Sequence, residues 1–214
     1  NKSDIFLIGI KKNKNYFSLK ISIKNEIFNF DTKYSNSSFV SNVLACISVL
    51  FILNLDLKKM DKKFTYFKIP EGRGDIKMIN MFNKRFKFID ESYNANPLSM
   101  ASAINNINYL KTGKRNKKFI FLGDMLELGE KSKKFHKDLS VIINKSNINK
   151  VFVFGKHIKE TFNNLKANKK GKIFENIEDA YSFFGKILHN KDILMVKASN
   201  ATGLNKFSKS VKKG

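Results

Sequence analysis

The sequence predicts an α/β protein: an open, mostly parallel sheet with helices on both faces, preceded by a smaller stretch of antiparallel strands and one helix. Three observations carry this. Short apolar runs suited to strands, at 86–89, 118–122, 151–154, 172–174 and 193–197, alternate with amphipathic helical stretches, and such alternation argues for parallel strands joined by crossover helices. Residues 4–31 instead alternate apolar and polar positions in short runs (DIFLIGI, YFSLKISI, EIFNF) broken by KKNKN and KN, the pattern of hairpins. Between the two regimes stands IPEGRGD, residues 69–75, with one of only two prolines and two of eleven glycines, the best linker in the chain.

After the hairpins a helix is expected over about 38–54, then a shorter segment to about 66. Its apolar run, VLACISVLFIL at 43–53, is bracketed by Asn42 and Asn54. A bilayer span needs about 20 apolar residues, so the run reads as a buried helix and no membrane span is expected. Cys46 lies in this run and is expected in the core. One cysteine excludes an intrachain disulfide framework and fits a reducing cytosol.

In the second regime Met100, Ile104 and Ile107 follow helical spacing, as do Phe135, Leu139 and Ile142, and then Ile177, Tyr181, Phe184 and Leu188. Asn176 with Glu178 and Asp179 makes a helix start, an N-cap followed by acids in the first turn. A last helix is expected over about 202–212.

With 42% hydrophobic residues and 21 phenylalanines among 214, the composition is that of a globular protein with ample core. The net charge of +23 raises the possibility of a nucleic-acid-binding module, but only three of the 41 basic residues are arginine, namely Arg73, Arg85 and Arg115. Base readout and bidentate phosphate grips favour arginine, so no specific nucleic acid is expected. The chain begins at Asn1 with no basic-then-apolar signal region, as an internal point of a longer protein would.

In open parallel sheets ligands bind outside the carboxyl ends of the strands. Three polar loops follow strands there: DESYNANP after the strand ending at Ile89, GDMLELGE after Leu122, and KASNATG after Val196. They are expected to form one rim and one site.

The stretches DESYNANPLSM, GDMLELGEKSKKFH and LMVKASNATGL resemble the hallmark motifs of the Mur ligases, from about residue 38 to the end. Within that family they look most like the branch that adds D-alanyl-D-alanine. SYNANP with GDMLELGE speaks against the sister ligases and the folylpolyglutamate synthetases. The resemblance implies a cytoplasmic, three-domain enzyme, monomeric at full length, that uses ATP and Mg2+. It would join D-alanyl-D-alanine to UDP-N-acetylmuramoyl-tripeptide through an acyl phosphate. It also implies that residues 1–72 are the tail of the central domain and 73–214 a Rossmann-like C-terminal domain. The phosphate-cradling G-x-x-x-x-G-K-[ST] loop has no counterpart: Gly113, Gly155, Gly171 and Gly185 each precede lysine, but never Lys-Ser or Lys-Thr. The chain is therefore expected to be a fragment, inactive alone, with the metal ligands upstream.

Site roles follow from the same resemblance. Arg73 at the hinge would reach the nucleotide phosphates and neutralise charge on the transferred phosphoryl group. Asn42 would touch the adenine, although the family's preceding His-Asn pair is Ser38-Phe39 here. Glu91 would take the ribose hydroxyls, with Asp90 beside it as a second nucleotide contact or a structural acid. Tyr93 and Asn94 would complete the nucleotide side. Asn96, Asp124, His136, Lys197 and Ser199 would serve the incoming dipeptide. Asp124 is expected to aim into the crevice, Ser132 to cap the next helix, and Asp124 and His136 to hold their loop together. Lys197 and Ser199 would bind the dipeptide carboxylate, with Ala198 replacing the family's glycine. His157 and His189 match nothing, and no zinc spacing occurs.

Overall fold

The computed structural model describes residues 3–213, and the chain divides into two compact units, Asn1–Lys68 and Ile69–Gly214. In the first, β1 (Ile5–Lys12), β2 (Phe17–Ile23) and β3 (Glu26–Thr32) form an antiparallel sheet in that order. Lys24 and Asn25, with φ of 44° and 71°, make the two-residue turn that suits the twist of a hairpin. Helix α1 (Ser37–Ile52) starts at Asn36, whose side-chain oxygen accepts the Phe39 N–H at 2.9 Å. Leu19, Ile21, Phe30, Val43, Ile47 and Phe64 fill the core.

Helix α1 departs from expectation. Val40, Val43 and Ile47 are buried, but Val49, Ile52 and Leu53 are exposed, and so is Cys46. A helix lying on a single three-stranded sheet has one layer to pack against, so an all-round apolar sequence still buries only one stripe.

The second unit is built on a six-stranded sheet. Its strands are β4 (Asp75–Met81), β5 (Lys84–Glu91), β6 (Lys118–Gly123), β7 (Lys150–Phe154), β8 (Lys170–Phe174) and β9 (Ile193–Lys197), in spatial order β4-β5-β9-β6-β7-β8. Neighbours are parallel except β4, which pairs antiparallel with β5 at the edge. The sequence reading passed over β4. Its Ile76 and Met78 are exposed, so this edge strand lacks the apolar continuity of the buried ones. The expected linker ends inside this unit: Gly74 donates its N–H to the Asp90 carbonyl at 2.8 Å, and Asp75 opens β4.

Five helices cover the sheet: α2 (Pro97–Tyr109), α3 (Ser132–Lys145), α4 (Lys159–Asn163), α5 (Ile177–Ile187) and α6 (Leu204–Lys213). Side chains alternate along each strand, and the two faces have different compositions. Ile89, Ile120, Leu122, Val151 and Val153 meet Met100, Ile104 and Ile107 of α2 and Leu139 and Ile143 of α3. On the other face Phe88, Phe119, Phe121 and Phe152 meet Phe184 of α5 and Phe207 of α6. The Phe121 ring lies 5.6, 5.4 and 5.1 Å from those of Phe174, Phe184 and Phe207. Each fully buried phenylalanine contributes about 1.5–3 kcal/mol, and tilted or edge-on ring pairs add to that.

Asn176 caps α5 as expected, accepting the Asp179 N–H at 2.7 Å. The last strand, β9, slots between β5 and β6. Loops following three sequence-distant strands thereby become neighbours on one edge.

Candidate functional site

Because β5 ends with Asp90 and Glu91 on alternate faces, the two acids meet different partners. Asp90 is buried. One carboxylate oxygen accepts the Ser92 N–H at 3.1 Å and the Ser92 hydroxyl at 2.6 Å, and the other pairs with Lys212 of α6 at 2.6 Å. Burial alone would raise this carboxyl; the Lys212 ammonium and the Ser92 donors outweigh it and hold the group below the usual carboxylate range. Glu91 meets Lys197 of β9 at 3.2 Å, and Lys197 also donates to the Asn94 carbonyl at 2.9 Å. The Lys197 ammonium is 2% exposed, and burial depresses its pKa against the pull of Glu91. Lys197 is thus turned inward to Glu91 and the 90–96 turn, not outward as a carboxylate-binding lysine. Its position at the end of a wholly buried strand dictates this.

The loop after β6 is fixed from beneath. Asp124 is also buried and does not aim into the crevice. Its carboxylate accepts the Lys156 N–H at 3.0 Å and the Ile158 N–H at 2.7 Å, both from the loop after β7. Gly155 makes this possible: at φ 132° it passes so close that an added Cβ would stand 2.6 Å from an Asp124 oxygen. His136 is fully buried, and its Nε2 accepts the Met125 N–H at 3.0 Å. The proton therefore sits on Nδ1, which donates to the Ser132 carbonyl at 2.8 Å. Burial lowers the His136 pKa, keeping the ring neutral. Asp124 and His136 do not bond each other; each secures one end of the loop. Ser132 is not the cap of α3. Residues Gly129–Lys131 wind as a 3-10 turn directly into the helix, leaving no extended residue to serve as an N-cap. Gly129 has the expected left-handed backbone, φ 55°.

Ser199 joins the three loops. Its hydroxyl accepts the Leu126 N–H at 3.0 Å and donates to the Ala95 carbonyl at 3.3 Å, while its own N–H donates to the Asp124 carbonyl at 3.0 Å. Asn96 is the cap of α2, accepting the Ser99 N–H at 2.8 Å while the Ser99 hydroxyl accepts the Asn96 N–H at 3.1 Å.

Other expected site residues face solvent. The Arg73 guanidinium lies 4.4 Å from the centre of the exposed Tyr93 ring, within cation–π range. Gly72, at φ 74°, brings its segment onto the 90–93 turn by accepting the Tyr93 N–H at 3.0 Å. Asn94 is exposed in that turn, and Asn42 is exposed on α1 in the first unit.

Two cavities open on this edge of the second unit. One, of about 430 Å³, includes Tyr93, Asn94, Leu126, Glu127, Leu128 and Ser199 in its wall. The other, of about 390 Å³, is walled by Gly72, Asp90, Ser92, Tyr93, Lys209 and Lys212, among others. The sequence reading missed Lys212 and Glu127. Lys212 stands one residue beyond Val211 on the buried stripe of α6, but in so lysine-rich a chain that offset gives little signal. Among the described residues no group of three or more His, Cys, Asp or Glu is arranged to hold a metal ion, and no helix is long and apolar enough to cross a membrane.

Residues 77–200 match the family described as Mur ligase, glutamate ligase domain. The UDP-N-acetylmuramoyl-tripeptide–D-alanyl-D-alanine ligase of Rickettsia prowazekii is 27% identical over 207 residues, covering 97% of this chain and 44% of the relative. The ligase of the same name from Buchnera aphidicola subsp. Baizongia pistaciae is 31% identical over 214 residues, covering 94% of this chain and 44% of its own. The chain thus spans less than half the length of these relatives. Among solved structures, the ADP complex of the MurF ligase from Thermotoga maritima has a TM-score of 0.75 at 21% identity, over 98% of this chain and 46% of that one. MurF from Acinetobacter baumannii reaches 0.79 at 18% identity, over 99% and 45%. These structural likenesses carry the fold alone; the family match over 77–200 establishes that this chain belongs to the Mur ligase family.

Proposed function

We propose that this chain is the nucleotide- and dipeptide-contacting part of an ATP-dependent amide ligase of peptidoglycan precursor synthesis. The ligase adds D-alanyl-D-alanine to UDP-N-acetylmuramoyl-tripeptide through an acyl phosphate, as a cytoplasmic monomer at full length. Residues 1–72 belong to the central domain and 73–214 to the C-terminal domain. The observation that carries the reading is the rim: three loops bearing the family's motifs meet at the ends of β5, β9 and β6 around a cavity of about 430 Å³. The names of the relatives support the choice of dipeptide.

In this reading ATP supplies the phosphoryl group that activates the tripeptide carboxyl. Arg73, steadied on Tyr93, offers its guanidinium to the phosphates. Glu91 and Asn94 accept and donate to the ribose, and Asn42 reaches the adenine. Asp90, bound by Ser92 and Lys212, keeps the turn in shape beneath them. The dipeptide occupies the cavity beside Leu126 and Ser199, where Asn96 offers its amide donor. Asp124, His136 and Lys197 act one step back, holding the loops that line it. In this reading the Mg2+ ligands belong to the upstream part of the full-length ligase; among the described residues no group of three or more His, Cys, Asp or Glu is arranged to hold a metal ion.

The deciding experiment joins residues 69–214 to the upstream part of the Bacillus subtilis ligase and measures ADP release with each amino donor in turn. D-alanyl-D-alanine is the expected donor. Preference for a single amino acid would assign the chain to a sister ligase. The unmodified 214-residue chain should release no ADP above a no-protein control, because it carries no phosphate-cradling loop.

A further inference from the structure

The 430 Å³ cavity holds one carboxylate, that of Glu127, and no lysine or arginine lines it. That inverts the chain as a whole, which has 41 basic residues against 18 acidic. Glu127 lies at the tip of the loop after β6 with φ 62°, a left-handed conformation unfavourable for a residue with a Cβ. The other left-handed non-glycine residues are Lys24, Asn25, Phe82 and Asn83 in hairpin turns, Asn54 after α1 and Lys191 before β9; none lies on the rim. On either side the loop is anchored: Leu126 donates its N–H to the Ser199 hydroxyl at 3.0 Å, and Leu128 packs on the core. Among the described residues the Glu127 carboxylate accepts no hydrogen bond and forms no ion pair, in contrast to the paired rim acids Asp90 and Glu91.

We propose that Glu127 is a specificity-determining residue that reads the free α-ammonium of the peptide entering this cavity. The inference rests on the dipeptide reading given above. A carboxylate and an ammonium make a short, charge-assisted hydrogen bond, and a wall shared by Leu126, Leu128, Ala95 and Ala201 suits methyl side chains and offers nothing to a charged one. The occupant is therefore a short zwitterionic peptide of small apolar residues, recognised at its amino end by Glu127, with neutral amides such as Asn96 and Asn200 facing its carbonyl and carboxylate.

The test titrates the 214-residue chain with D-alanyl-D-alanine and with N-acetyl-D-alanyl-D-alanine, following leucine and alanine methyl resonances by NMR. The free dipeptide should shift Leu126, Leu128 and Ala95, and the acetylated one should bind at least tenfold more weakly. Glu127→Gln should weaken the free dipeptide at least tenfold and leave the acetylated one unchanged. Glu127→Gly, which relieves the left-handed backbone, should match the parent in melting temperature or exceed it while losing the same discrimination. Equal binding of the two peptides, or a Glu127→Gln variant that still discriminates, would overturn the role of Glu127 and leave the dipeptide site standing. If neither peptide shifts the cavity methyls, both this inference and the dipeptide reading fall.

Discussion

The loop after β6 and the turn after β5 leave the same edge of one sheet, yet their polar side chains have different fates. In the first, Asp124 is buried under backbone N–H groups of the loop after β7, and Met125 is tied to His136; the ionised group it turns to the cavity is Glu127. In the second, Asp90 is held inside by Ser92 and Lys212, but Tyr93 and Asn94 stand in solvent, with Arg73 stacked on Tyr93. A polar residue at a strand end can therefore be a ligand contact or an internal anchor. What separates the two is whether a backbone donor or a counter-charge lies within reach beneath it.

The largest effect should come from the anchored loop. Asp124→Ala strips the partner from two backbone N–H groups, and unsatisfied buried donors cost roughly 1–3 kcal/mol each. A loss of about 3 kcal/mol in urea unfolding is expected, and a loss below about 1 kcal/mol would mean that water satisfies these donors. Next comes Lys212→Met in the other half. Removing one partner of a fully buried pair costs about 3–5 kcal/mol. Lys212 is 13% exposed and Asp90 retains Ser92, so a loss below that range, about 2 kcal/mol, is expected. Lys212→Arg should recover most of it.

The pH dependence sharpens the comparison. A histidine whose folded pKa is lowered binds its proton more readily in the unfolded chain, so stability is full above the unfolded value, about 6.5, and is lost as pH falls below it. His136 is such a group, with Asp124, His157 and Glu160 as its charged or titratable neighbours. Protonation would also set an N–H against the Met125 N–H. The urea midpoint should fall between pH 7.5 and 5.5, and more steeply in the parent than in His136→Gln; parallel slopes would contradict the assignment. Smallest of all, Tyr93→Ala should alter stability by no more than about 1 kcal/mol, the scale of an exposed cation–π pair. Its effect should appear in ADP binding.

Much of the fold was legible in the sequence because its signals were periodic. The buried parallel strands, the helix spacings and the Asn176 cap follow from residue patterns alone. The edge strand β4 was not, because its exposed Ile76 and Met78 leave no continuous apolar run. The exposure of Cys46 and Val49 on helix α1 is not legible either, because an apolar sequence does not say which of its faces the described unit covers. For the site, the placing of three loops on one rim follows from strands that run parallel and end in polar loops, but side-chain direction does not. Asp124, Lys197 and His136 read as ligand contacts in the sequence because carboxylate, ammonium and imidazole serve both purposes, and their partners come from distant segments: Ile158 for Asp124, Glu91 for Lys197 and Met125 for His136. Lys212 was hidden by the number of lysines around it.

Native-state hydrogen exchange at the amides of Met125, Leu126, Lys156 and Ile158 tests most directly whether the loop after β6 is one locked platform. These four donate to His136, Ser199 and Asp124. They should share a single opening free energy and lose protection together in Asp124→Ala, while the Glu127 amide exchanges faster. If Met125 and Leu126 exchange freely while Lys156 and Ile158 stay protected, the loop is not held from beneath and the division between anchors and contacts is wrong.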